Sequence, residues 1–151
     1  MANDGQKYVV FLVEGERFGL PISAVERILP EQRPTPVPNT AEMIMGVFNL
    51  DGEMILAVDL RLRFDFSASA RNGTFVLIRS HRALLACRVD SVEGISSFGA
   101  DDLDTDCEFV TAKGDDFLQS VAWRGDDLIV ILNPECVIPS HVRKSATVLA
   151  A

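Results

Sequence analysis

Short apolar runs separated by turn residues recur along the chain, and this spacing is typical of β-strands rather than long helices. The run YVVFLV ends at residue 13, residues 14–16 form a turn, and residues 17–20 begin a second strand. Further along, Asp51 and Gly52 separate two apolar runs. Both central positions of a type I′ turn need positive φ, so this pair is a strong hairpin signal. The sequence therefore predicts a mostly β protein with a hairpin tip at residues 51–52.

One segment in the first half predicts a short helix instead of a strand. Residues 22–29 have apolar side chains at helical spacing, and Glu26 follows Ser23 by three positions. A serine followed three residues later by glutamate is typical of a capping box at a helix start. Pro30 comes directly after this segment and would end the helix.

The pattern of the first half recurs in the second half. A shift of 67 residues places residues 9–11 over 76–78 and ISAVERI over VDSVEGI, where Asp90 and Glu93 repeat the predicted cap. A shift of 74 residues places VFNLDGEMILAVD over VAWRGDDLIVILN. The larger second offset implies an insertion of about seven residues, for which the polar stretch 98–117 is the natural place. Matching elements in the same order favour an internal duplication.

Each half therefore has about five short strands and one helical turn, and a unit of this kind closes most easily into a small barrel without exposed edges. The runs MILAV and LIVIL do not alternate with polar residues, so we expect them to be buried on both faces where two barrels pack together. We expect one domain over residues 1–151, with one barrel at about 14–80 and the other combining 1–13 with 81–140. Residues 141–151 would form a C-terminal tail.

Composition narrows the classes of partner and the compartment. The 151-residue chain has a net charge of -8, so it would repel nucleic acid and anionic membrane surfaces. The N-terminus has no basic stretch followed by an apolar one, and no apolar run approaches the ~20 residues of a membrane span. Three well-separated cysteines suit reduced thiols. We therefore expect a cytoplasmic protein that binds no nucleic acid and does not insert into a membrane.

Catalytic residues and metal ligands are sparse, and no cofactor is predicted. His81 lies in a predicted hairpin turn and His141 in the tail, and neither belongs to an HExxH motif. Cys87 and Cys136 are expected to pack in the interior, and without a CxxC pair a structural zinc site has little support. Trp123, at a strand end, is expected to pack in the core or at a barrel rim in preference to forming a binding platform.

The strongest metal candidate is the acidic segment 99–108. Asp102, Asp104 and Asp106 have the 1-3-5 spacing of a calcium loop. Cys107 occupies the position where such a loop needs glycine, and Lys113 the position where it needs a bidentate glutamate. A solvated acidic loop is the favoured interpretation, with calcium binding as the alternative.

Three long segments resemble the CheW-like domain family over about residues 7–139: YVVFLVEGERFGLPISAVERIL, TPVPNTAEMIMGVFNLDGEMILAVDLRLRF and FVLIRSHRALLACRVDSVEGI. The family pattern is most specific in GVFNLDGEMILAVDLR, where the chain matches it at Gly46, Val47, Asn49, Leu50, Gly52, Asp59, Leu60 and Arg61. The resemblance implies two intertwined SH3-like five-stranded β-barrels.

The resemblance also implies a non-catalytic adaptor that couples bacterial chemoreceptors to the histidine kinase CheA at receptor arrays on the inner membrane face. One face would engage the regulatory domain of the kinase, and a groove between the barrels would engage the cytoplasmic tip of a receptor. The candidate contact residues are Val25, Arg27, Gly46, Asn49, Asp51, Gly52 and Val92. For Val25 and Val92, core packing is the alternative role.

One departure from the family pattern leaves the function open. The family has arginine where this chain has Asp51, which reverses the charge at an exposed tip. The aspartate either only suits the turn or changes partner specificity, as in a CheW-like scaffold for pilus motility or surface sensing. A third hypothesis is a small β-barrel enzyme that uses Asp59 and Glu53 or the acidic loop, which would need a concave pocket and a carboxyl with a raised pKa.

Overall fold

Strands dominate the computed structural model of the chain, which describes residues 5–81, 83–105 and 116–139. The strands are β1 (Gln6–Val13), β2 (Glu16–Pro21), β3 (Val25–Leu29), β4 (Ile44–Leu50), β5 (Glu53–Asp59), β6 (Thr74–Ser80), β7 (Ala83–Val89), β8 (Ser91–Phe98), β9 (Leu103–Asp104), β10 (Leu118–Arg124) and β11 (Asp127–Leu132). The helical segments are α1 (Leu60–Arg63) and 3-10 turns at Ile22–Ala24, Ala100–Asp102 and Pro134–Cys136. This confirms the predicted mostly β fold class.

The two sheets repeat one topology. The six-stranded sheet has the order β8-β1-β2-β11-β10-β9, and the five-stranded sheet has the order β3-β6-β7-β5-β4. Replacing each strand of the five-stranded sheet by its repeat counterpart gives the first five strands of the larger sheet in the same order. The parallel pair of β5 with β7 likewise corresponds to the parallel pair of β11 with β2. Each sheet contains strands from both halves of the chain, so the two halves are intertwined.

The chain changes sheet after β2 and after β7. The six-stranded sheet therefore uses residues within 6–21 and 91–132, and the five-stranded sheet uses residues within 25–89. Our expected boundaries, after residues 13 and 80, lie one strand earlier in each half. Glu14 and Gly15 both have positive φ in a two-residue turn, and such a tight turn keeps β1 and β2 paired in one sheet. The predicted tail at 141–151 lies outside the described residues.

The predicted helix over residues 22–29 is wrong. Only Ile22–Ala24 is helical, as a single 3-10 turn without a side-chain cap, and Val25–Leu29 forms β3. The repeat of this segment is also a strand, β8. Pairing of β3 with β6 satisfies the backbone of the segment, and its β-branched residues suit a pleated surface. The tertiary pairing therefore outweighs the local helical spacing.

Three hydrophobic clusters place apolar residues on both faces of each sheet. A shared core lies between the sheets and includes Leu56 and Val58, while Ile55 and Ala57 on the same strand belong to a separate cluster on the other face. On β11, Val130 faces the shared core and Ile129 faces a third cluster. These neighbours are all nearly inaccessible, so the prediction that MILAV and LIVIL are buried on both faces holds beyond their first residues.

Two pseudo-equivalent junctions tie the sheets together at a hairpin turn and a helical turn. At the first junction, Arg61 of α1 forms an ion pair with Glu14 in the β1–β2 turn and lies 3.5 Å from Asp90. At the second, the backbone amide of His81 in the β6–β7 turn donates to the Glu135 carboxylate at 2.7 Å. Each contact joins a hairpin turn of one sheet to the helical segment that follows β5 or β11 of the other sheet.

Candidate functional site

The β4–β5 hairpin tip has the predicted turn geometry. Asp51 has φ 51° and Gly52 has φ 89°, so both central positions lie in the positive region that the turn requires. The Gly52 amide donates to Asn49 Oδ1 at 3.1 Å, which fixes the amide side chain across the turn. The Asp51 side chain is 76% exposed. The tip therefore presents a carboxylate to solvent on a hydrogen-bonded turn.

Arg27 is the counter-ion of this tip. It projects from β3 rather than from the predicted helix, and its Nη1 lies 3.5 Å from Asp51 Oδ2. Because the two side chains are both more than half exposed, the pair contributes only about 0–1 kcal/mol to stability. The pair matters more for the charge of the tip, because the Arg27 guanidinium offsets part of the negative charge of Asp51. The structure thus brings together Arg27, Asn49, Asp51 and Gly52 of the candidate residues.

A small cavity of about 100 Å³ opens beside this tip, between β3, the β4–β5 hairpin and the β6–β7 hairpin. We call it the tip cavity. Its apolar lining is Leu50, Ile55, Leu77 and Leu84, and its charged lining is Glu26, Arg27, Asp51, Glu53 and Arg79. On the rim, Arg79 Nε donates to Glu26 Oε2 at 3.1 Å. Sequence reasoning missed this cavity, because its lining comes from strands that are distant in the chain.

Gly46 lies away from the tip and has a packing role. It is buried at an irregular step in the β4–β5 pairing, with φ 139°. A Cβ at this position would lie 2.1 Å from the carbonyl oxygen of Thr35. Thr35 itself pairs with Val47 through backbone hydrogen bonds of 2.7 and 2.9 Å. This close approach of the segment before β4 requires glycine, and the structure does not group Gly46 with the exposed candidates.

Val25 and Val92 occupy equivalent places in the repeat, on β3 and β8, and not on helical turns as predicted. Each is partly buried and packs against the shared core. Their partial exposure leaves one side of each residue accessible beside that core. A contact role for these two valines stays a prediction.

A buried charge cluster lies beneath the other end of β5. Arg88 is 7% exposed, and its Nε and Nη2 donate to the Glu31 carboxylate at 3.1 to 3.3 Å, while Nη1 lies 4.0 Å from Asp59 Oδ2. Burial would raise the pKa of Glu31, but the Arg88 hydrogen bonds, the Gly73 amide and the Arg88 charge together lower it. This cluster anchors the proline-rich segment after Pro30 to the five-stranded sheet.

Asp59 combines burial with a capping role. Its carboxylate accepts a hydrogen bond from the Arg61 amide at 2.9 Å and so caps α1. Burial raises the pKa of Asp59, and the Arg61 amide and the charges of Arg88 and Arg61 offset this only in part. The enzyme hypothesis needs such a carboxyl inside a concave pocket. Asp59 does not line the tip cavity, whereas Glu53 does, so the two proposed catalytic carboxylates belong to different places.

The structure also places the two cysteines and the histidine that the sequence analysis considered: Cys87, Cys136 and His81. Cys87 is fully buried, as predicted, and burial raises the pKa of its thiol to about 12, so it is not a nucleophile at neutral pH. Cys136 lies in the predicted helical turn and is half-buried. His81 is exposed in its turn, as predicted, and its Nε2 is 2.7 Å from the Glu135 carbonyl oxygen.

Trp123 was expected to pack in the core or at a barrel rim, and it does not pack in the core. Trp123 is 54% exposed and lies opposite Leu128, itself 39% exposed, near the β10–β11 turn. Val121 and Val130, two positions further from the turn on the same two strands, belong to the shared core. Trp123 and Leu128 therefore lie on the core-facing side of the sheet, at the end where that side reaches solvent. An exposed tryptophan of this kind is a candidate contact residue.

The acidic segment lies only partly within the described residues. Asp102 accepts a hydrogen bond from the Gly99 amide at 3.0 Å, and Asp104 belongs to the short strand β9. In the described parts of the chain, no group of three or more histidine, cysteine, aspartate or glutamate side chains has the geometry to hold a metal ion. Four residues named in the sequence analysis lie outside the described residues: Asp106, Cys107, Lys113 and His141.

A membrane-spanning helix is likewise not found among the described residues, where the helical segments are too short for that role.

Comparison with known proteins identifies the family. Residues 7–141 match the family model of the CheW-like domain. The chain belongs to the CheW-like domain family. It is 24% identical over 139 residues to the chemotaxis protein CheW of Klebsiella aerogenes, which covers 91% of this chain and 84% of the relative. The chemotaxis protein CheW of Bacillus subtilis is 25% identical over 144 residues, which covers 94% of this chain and 92% of that protein.

A solved CheW structure has the same fold. The crystal structure of the scaffolding protein TtCheW from Thermoanaerobacter tengcongensis matches with a TM-score of 0.81 at 22% identity, covering 89% of this chain and 93% of the other. These comparisons confirm the resemblance that the sequence carries. The family motif Asp-Leu-Arg has a physical basis in this fold, because Asp59 caps α1, Leu60 is buried and Arg61 joins the two sheets.

Proposed function

We propose that the chain is a non-catalytic adaptor that couples chemoreceptors to a CheA-type histidine kinase. The observation that carries this proposal is the CheW family match over nearly the whole chain. The curated relatives are named chemotaxis proteins, and the structural relative is titled a scaffolding protein. The adaptor would act in the cytoplasm, at receptor arrays on the inner membrane face.

The architecture supports a role in holding partners. The β4–β5 and β10–β11 hairpins extend from sheets that have apolar clusters on both faces, so each hairpin tip is carried on a rigid base. Three large apolar side chains are exposed on these hairpins, at Met54, Trp123 and Leu128. Exposed aromatic and aliphatic side chains on a rigid surface are the usual anchors of protein interfaces.

In this proposal the two partners use different surfaces. The regulatory domain of the kinase binds at one end of the molecule, where exposed apolar residues supply affinity. The cytoplasmic tip of the receptor binds in the groove between the sheets, beside Val25 and Val92, which lie half-buried against the shared core. Charges around the hairpin tips select among related partners, because charge at the rim of an interface mainly affects association rate and specificity.

The tip charge favours a second candidate function. Asp51 stands where the family pattern has arginine, and it pairs with Arg27 at 3.5 Å. A receptor that complements an arginine would meet the opposite charge here. The alternative is a CheW-like scaffold of a pathway other than chemotaxis, such as pilus motility or surface sensing, with altered receptor specificity.

Binding of purified partners tests the proposal. The wild-type chain would be titrated calorimetrically with the regulatory domain of a CheA-type kinase, and with receptor cytoplasmic fragments, all encoded in the same genome. We expect the chain to bind both and to form a ternary complex that elutes as one species. A chain that binds no kinase regulatory domain and no receptor fragment contradicts the adaptor role.

A charge-reversal variant separates the two candidate functions. Asp51→Arg restores the charge of the family pattern, and Asp126→Arg at the β10–β11 turn makes the same charge change at the other hairpin as a control. Chemotaxis coupling predicts that wild type binds chemotaxis receptors. The alternative predicts that wild type binds only the receptor of another pathway, and that Asp51→Arg, but not Asp126→Arg, gains affinity for a chemotaxis receptor.

A further inference from the structure

The tip cavity has a repeat counterpart whose chemistry is different. Positions 67 residues before Leu84 and 74 residues after Leu50 hold Arg17 and Arg124. Glu93 accepts hydrogen bonds from both arginines, at 3.2 Å from Arg17 Nε and 3.0 Å from Arg124 Nη2. Asp127 lies 3.6 Å from each of the same two guanidinium groups. We call these four residues the arginine cluster.

The arginine cluster satisfies its own charges. Arg124 Nη1 also donates to Ser96 Oγ at 2.8 Å, so its side chain is held across the end of the six-stranded sheet. Burial would raise the pKa of Glu93, but the hydrogen bonds and charges of Arg124 and Arg17 together lower it. Two arginines and two carboxylates thus neutralise each other at this end of the repeat.

Leucines occupy the two arginine positions at the tip cavity. Leu50 and Leu84 are partly exposed on its walls, while Ile55 and Leu77 are buried at its base. The cavity measures about 100 Å³. An apolar cavity of about 150 Å³ holds a benzene molecule, so a space of this size suits one aliphatic side chain. Contact with another apolar group would remove the exposed surface of Leu50 and Leu84 from water, which is favourable in free energy.

Charges at the rim add a second requirement for an occupant. The rim has three carboxylates, from Glu26, Asp51 and Glu53, against two arginines. Arg27 pairs with Asp51, and Arg79 pairs with Glu26. Glu53 has no ion-pair partner within the described residues, and the charged side chains that line the cavity carry one more negative than positive charge. A cationic group on the occupant would complement that charge.

We propose that the tip cavity binds one aliphatic side chain of a protein partner, leucine or isoleucine, that is followed or preceded by a lysine or arginine. The aliphatic group enters between Leu50 and Leu84, and the cation lies over Glu53 and Asp51. This inference rests on the proposed function in one respect: the side chain that enters the cavity belongs to a protein partner. The arginine cluster, with its charges paired internally, is not a second site of the same kind.

Capped dipeptides test the cavity without a partner. The probes are N-acetyl dipeptide amides of Leu-Lys, Leu-Glu and Gly-Lys, titrated into the full chain with methyl groups labelled for NMR. We expect Leu-Lys to bind with a Kd of about 1 to 10 mM. Its shifts would be confined to the methyl groups of the cavity lining. We expect at least threefold weaker binding for Leu-Glu and no shift with Gly-Lys.

Two variants distinguish a specific site from general stickiness. Leu84→Arg copies the residue of the arginine cluster, so the fold tolerates it at the equivalent position, and it should abolish the Leu-Lys shifts. Glu53→Lys should reverse the preference, so that Leu-Glu binds more tightly than Leu-Lys. Asp126→Arg in the β10–β11 turn introduces an arginine on the other hairpin as a control and should change neither titration.

The outcomes separate this proposal from the proposed function. A Leu-Lys probe that shifts no cavity methyl group, or that binds Leu84→Arg as well as wild type, overturns the cavity proposal. Kinase and receptor binding in the same preparation would leave the adaptor role standing. Conversely, probe binding at the cavity in a chain that binds no kinase or receptor would support the site and contradict the adaptor role.

Discussion

The two junctions between the sheets occupy equivalent places in the repeat, and they differ in burial and in the groups that make the contact. At the first, Arg61 is 14% exposed and faces the carboxylates of Glu14 and Asp90. At the second, the turn residue is His81, whose backbone amide donates to the Glu135 carboxylate of the helical segment, and both side chains are about half exposed. The two positions therefore preserve a polar contact between turn and helical segment, although different groups make it.

The caps of the two helical segments differ in the same way. Asp59 accepts from the Arg61 amide at 2.9 Å, and Asn133 accepts from the Glu135 amide at 3.0 Å. One cap carries a buried carboxyl whose pKa is raised by burial, and the other is neutral. The two halves thus keep the hydrogen bond that caps each helical segment, while the charge of the capping residue differs. A buried charge is costly to leave unpaired, so the first junction should matter more for stability.

The largest effect is expected for Arg61→Met, which keeps an unbranched side chain and removes the charge. The Arg61 Nε atom is buried 3.5 Å from Asp90, and the substitution leaves Glu14 and Asp90 without their shared cation. We expect a loss of about 2 to 3 kcal/mol in the free energy of unfolding, measured by urea denaturation. Arg61→Lys is the control and should retain part of this stability. A loss of less than about 0.5 kcal/mol would mean that this junction is no stronger than an exposed ion pair.

The apolar pattern predicted the parts of the fold that depend on local chemistry and burial. The two-sided burial of β5 and β11 and the positive φ of Asp51 and Gly52 all follow from residue type and spacing. The repeat was visible for the same reason, because duplicated strands keep their apolar positions. The error at residues 22–29 arose because helical spacing is a local signal, and the choice of strand is made by pairing with β6.

The candidate site was only partly predictable, because its contacts join distant residues whose types vary. The turn of the tip was predicted, but nothing in the sequence pairs Arg27 with Asp51 or places Leu84 beside Leu50. Gly46 was identified through the family pattern, and only the close approach of Thr35 explains it as a packing requirement. Comparison of the two halves of the sequence shows that Leu50 stands where the second half has Arg124. It does not show the cavity that Leu50 lines.

A smaller effect is expected for Asp59→Asn, which gives the first cap the chemistry of the second. The pKa of Asp59 is raised in the folded chain from its ordinary value of 3.8, so the folded state binds the proton more tightly than the unfolded state. This carboxyl therefore favours folding at low pH, and that contribution is lost as pH rises above 3.8 through the raised folded pKa. We expect wild type to lose stability relative to Asp59→Asn across this range, measured by urea denaturation at a series of pH values. A difference that is independent of pH, or that grows in favour of wild type, contradicts the role of burial. Asn133→Asp is the matched control at the second cap.

The smallest effect is expected at the second junction, for Glu135→Ala. The His81 amide loses a side-chain acceptor, but both residues are about half exposed, so water replaces the contact. We expect a loss of about 0 to 1 kcal/mol in the free energy of unfolding, below that of Arg61→Met in the same assay. Glu135→Gln keeps a side-chain oxygen of the same length that accepts from the His81 amide, and it should match wild type within that range. A loss at Glu135→Ala equal to that at Arg61→Met would show that burial does not set the difference between the junctions, and that the backbone contact to His81 stabilises the sheets as much as the buried guanidinium does.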